Sequence, residues 1–245
     1  MPSLVEPTVA VRKSFLAAMR EFADEGRDGD DTMIGRDLAR WGDRWETDGG
    51  FAAFVATVVR QREEDAAREP GRVPCTTLWW IDETTYLGRI AIRHQLTPAL
   101  REIGGHIGYD VRHSERRRGH GTAMLAAALP VAHSLGIDPA LVTCDDINVG
   151  SRRVIEANGG VFEDQRGAKL RFWVPTSRCI PLHGAGSMGA RTHDLTDYER
   201  THRHRNPPLP ATTVARPTPS DASDPTGSRD FAPRTAPRRS AKQSG

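Results

Sequence analysis

The chain has 245 residues, room for one sizeable domain plus extra. Its 34 Lys+Arg and 32 Asp+Glu are unevenly spread: residues 176–245 hold 11 and 6 of them, leaving 23 and 26 for residues 1–175. A mildly acidic body with a basic tail is not the profile of a domain built around nucleic acid, and three scattered cysteines without a CxxC pair argue against a disulfide scaffold or a zinc site.

The start, MPSLVEPTVAVRK, lacks the basic-then-apolar pattern of a secretion signal. The longest apolar run, FAAFVATVV, is too short for a bilayer, so the chain reads as a soluble cytoplasmic protein without a membrane partner. Val11 to Glu25 carries Val11, Phe15, Ala18, Met19 and Phe22 at helical spacing, and Gly26 ends the pattern. RDGDDT reads as a loop. A second helix is expected from Gly50 to about Glu64. TTLWWID and YLGRIAIRH then read as a hairpin, followed by a third strand, GGHIGYDV.

A helix is expected from Gly121 to Leu135, with Pro130 kinking it, and then the strand ALVTCDD. SRRVIEAN reads as a short helix stopped by Gly159-Gly160, and GVFED and KLRFWV as two short strands. The plan is a mixed α/β domain over residues 1–175, with one parallel crossover at its centre and the edge of KLRFWV open to pairing. Beyond Pro175 lie nine of the seventeen prolines and almost no periodic apolar residues, so residues 176–245 are expected to be a disordered tail.

The segment between the third strand and the following helix, RHSERRRGHGT, carries the chemistry. A glycine-rich turn entering a helix leaves backbone N–H groups unpaired and pointing one way, which favours a phosphate. Gly119 and Gly121 let a ligand approach, and Arg116, Arg117 and Arg118 add positive charge. Neither a P-loop GxxxxGK nor a dinucleotide GxGxxG is present.

Arg116-x-x-Gly119-x-Gly121 after a strand resembles the acyl-CoA pyrophosphate loop of the GNAT N-acetyltransferase superfamily. The strand order and the segment LVTCDDINVGSRRVIEANGGVFE, with Asn148 and Ser151, extend the resemblance over roughly residues 5–175. It implies a GNAT-like fold, a central mixed sheet with splayed parallel strands, and acetyl-CoA as co-substrate. By that match the backbone from Arg116 through His120 to Thr122 holds the pyrophosphate, Val111 offers main-chain bonds to the pantetheine arm, and Asn148 and Ser151 sit near that arm.

The implied reaction is direct acetyl transfer to an amine of a small molecule or protein, by a monomer or homodimer. Glu102 and His106 flank Gly105, the place of the family's frequent glutamate, and are the candidate acid–base residues. The family's usual tyrosine is replaced by Ile155. Asp145 or Asp146 is a candidate contact for a cationic acceptor, and Arg93-His94 for an acceptor carboxylate. Trp41 and Trp45 are read as pocket wall or core. Without its usual acid and base, the domain has a second reading as a non-catalytic acyl-CoA sensor. A third gives the work to the tail as an interaction segment.

Overall fold

The computed structural model describes residues 1–29, 32–65 and 72–177. The tail expected from residue 176 lies outside the described residues except for its first two. Of these, Thr176 belongs to the domain: it is buried, and its hydroxyl donates to the Ile137 carbonyl at 2.6 Å.

Seven strands form one mixed sheet in the order β1-β2-β3-β4-β5-β7-β6. β1 (Ser3–Val5) is a short edge strand on β2 (Cys75–Asp82), which forms a hairpin with β3 (Thr85–Arg93). β4 (Ile107–Val111) pairs antiparallel with β3, and β5 (Ala140–Asp145) lies parallel to β4. β7 (Lys169–Val174) sits between β5 and β6 (Val161–Arg166), so KLRFWV is an interior strand and the exposed edge is β6.

The expected helices appear as α1 (Arg12–Asp24), α3 (Asp48–Arg60), α5 (His120–Ser134) and α6 (Val149–Ala157). α5 runs unbroken through the exposed Pro130, whose missing N–H leaves the helix start untouched. Two further helices fall in stretches for which no element was expected. α2 (Met33–Trp41) is capped by Thr32, whose side chain accepts from the Gly35 N–H, and α4 (Pro98–Glu102) by Thr97, with Pro98 in its first turn.

Each sheet face buries its own core. α5 and α6 cover one around Ile90, Ile107, Leu125, Val142 and Phe172. The other packs α1, α2 and α3 around an aromatic cluster in which Phe15 touches Trp45, Phe51, Phe54, Trp79 and Tyr86 with centroids 5.1–5.5 Å apart. Trp45 is therefore core, while Trp41 lines a cleft described below.

Candidate active site

The parallel pair at the centre of the sheet barely pairs. β4 and β5 share one register pair, Ile107 with Val142. The Arg112 N–H bonds the Leu87 carbonyl and the Arg93 N–H bonds the His106 carbonyl, both at 2.8 Å, so the even-numbered residues of β4 direct their amides to β3. By the alternation of an antiparallel ladder, the N–H and C=O groups of Tyr109 and Val111 point the other way, toward β5. No strand meets them there among the described residues. The Val111 carbonyl accepts instead from Arg116 Nε at 3.1 Å. The result is a gap lined by backbone donors and acceptors.

The loop after β4 leads to the start of α5. Four other helices carry a Thr or Asn cap: Thr32, Thr47, Thr97 and Asn148. α5 opens instead on Gly119, in the left-handed region at φ 83°, with no side-chain cap. The first helical bond runs from the Ala123 N–H to the Gly119 carbonyl at 3.0 Å. Six successive N–H groups, from Arg117 to Thr122, thus lack a backbone acceptor among the described residues. These donors stand at the positive end of the helix dipole, an arrangement that favours negative charge.

The arginines of this loop divide their work. Arg116 does not reach outward: Nη1 and Nη2 grip both carboxylate oxygens of Glu25, the residue that ends α1, at 2.5 and 2.7 Å. Burial of Glu25 opposes its charge, but Arg116 and His113 outweigh it and hold the carboxyl below its ordinary range. Arg116 is therefore a brace for the loop. Arg118 pairs with Glu115 at 2.8 Å and Arg117 is exposed, with φ 62°. The His120 ring turns inward, accepting from Trp80 Nε1 at 3.2 Å. Gly121 serves packing: a Cβ there would lie 3.1 Å from Val154 Cγ2 of α6.

The Asn148 side chain caps α6 by accepting from the Ser151 N–H at 3.0 Å. The Ser151 hydroxyl lies 2.7 Å from the Tyr109 phenol. Ile155 is fully buried. Tyr109 thus bridges β4 and α6, a juxtaposition not read from the sequence. The gap carries no other tyrosine among the described residues, since Tyr86 belongs to the aromatic core on the opposite face.

His106 is clasped to β5. Its Nδ1 accepts from the Leu141 N–H at 2.9 Å, and its own N–H donates to the Leu141 carbonyl at 2.7 Å. Burial, with Arg101 and Arg93 nearby, pushes the ring's pKa down to about 4, so it is neutral near pH 7 and a weak base. Glu102 ends α4, is half exposed, and pairs with Arg166 of β6. Asp145 is taken by Lys169 at 2.5 Å, and Asp146 accepts from Gln165 at 3.3 Å. Among the described residues no cluster of His, Cys, Asp and Glu could hold a metal ion, and no helix is long and apolar enough to cross a membrane.

This gap and uncapped helix lie within a matched domain family. The family described as the acetyltransferase (GNAT) domain matches residues 21–161, more than half of the chain. The chain belongs to the GNAT acetyltransferase family. No curated protein matches it. Among solved structures it is similar to the microcin C7 self-immunity acetyltransferase MccE in complex with acetyl-CoA and AMP, at 11% identity and a TM-score of 0.49 over 71% of this chain and 92% of that one. It is similar also to Mycobacterium smegmatis RimJ in complex with a CoA-disulfide, at 15% identity and a TM-score of 0.49 over 75% and 85%. The PaiA N-acetyltransferase of Thermoplasma acidophilum, in complex with coenzyme A, matches at 11% identity and a TM-score of 0.45 over 71% and 99%. The GNAT assignment rests on the domain match.

Proposed function

We propose that this GNAT domain transfers an acetyl group from acetyl-CoA to the amine of an acceptor, by direct attack with both substrates bound. The observation that carries the reading is the run of six unpaired N–H groups from Arg117 to Thr122, placed at the end of the β4–β5 gap. In this reading those amides bind the pyrophosphate, with Arg117 and Arg118 adding charge at the rim. The free amides of Tyr109 and Val111 bind the extended pantetheine arm as a missing strand would be bound. Asn148 and Ser151 fix the α6 wall.

The residues also fit the proton movements. The amine must lose a proton before attack, and the departing sulfur must gain one as its bond to the acetyl carbon breaks. Tyr109, hydrogen-bonded to Ser151, is the hydroxyl placed to supply that second proton. His106 holds β4 to β5 and so positions the gap. Glu102, half exposed, is assigned the amine proton through water.

A second reading, a sensor that binds acyl-CoA without turnover, draws on Ile155 in the usual tyrosine place and on the weak basicity of His106. Coenzyme A release with a panel of amines separates the two. Sustained, amine-dependent release supports transfer, whereas tight acetyl-CoA binding with no release from any amine supports the sensor.

A further inference from the structure

On the sheet face opposite α5 and α6, α2 and the end of α3 overhang β2 and β3 to enclose a cleft. Its volume of about 360 Å³ lies in the small-molecule range. Among the described residues its walls carry the arginines Arg36, Arg40, Arg72, Arg89 and Arg93 and one carboxylate, Asp37. That carboxylate is spent: Asp37 binds Arg89 at 2.5 Å. Behind it Asp110 takes Arg27 at 2.5 Å and faces Arg89 Nε at 3.6 Å. Two aspartates and two arginines so form a chain balanced in itself, from which the buried Arg89 Nη2 is left without a partner.

Arg93 lies outside that balance. Its Nη1 donates to the carbonyls of Gly104 and Gly105 at 3.0 and 3.1 Å, and no described carboxylate pairs with it. Burial and the nearby Arg36 both act against its charge. A guanidinium cannot shed that charge near neutrality, so an anion beside it is favoured. Arg40 stands exposed at the rim with its guanidinium 5.9 Å from the Trp41 ring.

Two residues of the cleft wall also pack against β4. A Cβ at Gly108 of β4 would lie 3.3 Å from Met33 Cε and 3.7 Å from both terminal nitrogens of Arg93, all belonging to cleft-lining residues. Gly108 immediately precedes Tyr109, whose amide faces the gap. A molecule held by Arg93 therefore lies against the strand along which the acetyl group would be presented.

We propose that this cleft is the acceptor site and that the acceptor is a small amine bearing a carboxylate or phosphate, gripped by Arg93 and Arg40 with its amine toward the gap. Its use as an acceptor rests on the acetyl-transfer reading; its preference for anions does not.

The test is ligand-observed NMR titration of the full chain with L-glutamate and O-phospho-L-serine, each against its neutral-side-chain carboxamide, glutaminamide and serinamide, and against spermidine. The anionic amines should bind at least tenfold tighter than the carboxamides, with Arg40→Glu weakening them about tenfold, as expected for losing one charge-assisted contact, and leaving acetyl-CoA affinity unchanged. Because Arg93 also holds two backbone carbonyls, Arg93→Gln is scored only alongside its thermal unfolding curve. It should lose the anionic amines while remaining folded. Glutamate above phosphoserine identifies a carboxylate, the reverse a phosphate. Equal or tighter binding of the carboxamides or spermidine, no binding by any probe, or an unchanged affinity in Arg40→Glu would overturn the proposal. Failure of acetyl-CoA to bind would overturn the transfer reading alone.

Discussion

The Tyr109 phenol of β4 lies 2.7 Å from the Ser151 hydroxyl in the first turn of α6, a contact that ties β4 to α6 beside the gap where β4 and β5 part. Burial raises the Tyr109 pKa, so the phenol keeps its proton throughout the working range and is a donor rather than a base.

Tyr109→Phe should therefore lower kcat by at least tenfold, the low side of a typical loss of roughly 100-fold or more when a general acid is removed. Acetyl-CoA affinity should stay within about twofold, since the backbone facing the gap is unchanged. Stopped-flow release of coenzyme A, with calorimetric affinity beside it, checks the split.

The fold should weaken in acid through His106. Its pKa is near 4 folded against 6.5 unperturbed. The unfolded chain therefore takes up a proton that the folded chain refuses as the pH falls below 6.5. The stability present above pH 6.5 is lost progressively down to about pH 4, and no further loss comes from this group below that. Denaturant midpoints of wild type and His106→Gln across this window check it: the variant should start less stable and show the shallower dependence.

Gly119 sits at φ 83° with nothing within 4 Å of where a Cβ would stand. Gly119→Ala thus meets no clash, and its cost is conformational, about 1–2 kcal/mol. A calorimetric Tm lowered by roughly 3–8 °C is expected.

Arg116→Lys keeps the charge but loses the two-pronged grip on Glu25 and the bond to the Val111 carbonyl. The expected cost is about 1–2 kcal/mol of stability in urea unfolding, with weaker acetyl-CoA binding because the loop is less well placed. An outward-pointing, phosphate-binding Arg116 would instead show the loss in affinity with no loss of stability.

The elements around the gap were legible because their signals are local. The period of Ile107 to Val111, the glycines at 119 and 121, and the Gly159-Gly160 stop each act within a few residues. α4 was legible in principle, since Thr97-Pro98 is a cap followed by a first-turn proline. α2 is only nine residues long and follows a loop-like run, so its signals, the Thr32 cap and the spacing of Ile34, Leu38 and Trp41, span barely two turns. The partners that change the meaning of the loop were out of reach. Glu25 is 91 positions from Arg116, and Ser151 is 42 from Tyr109. No local pattern announces such pairs. Of the arginine cleft only Arg93 and Trp41 were candidates from the sequence, its lining coming from α2, α3, α4, β2, β3 and the connections between. KLRFWV reads identically as an edge or an interior strand, and only the return of β6 decides it.

In the proposed function the uncapped start of α5 holds the phosphates of acetyl-CoA. Calorimetric titration of acetyl-CoA into the full chain, wild type beside Arg117→Glu/Arg118→Glu, is the experiment that decides it. Both side chains are exposed, so the fold should persist, while two carboxylates would stand beside the six free N–H groups. Saturable binding by wild type, weakened at least tenfold in the double variant and approached by wild type at high salt, is the predicted result. Binding by the variant equal to that of wild type, or none by a folded wild type, would contradict the claim.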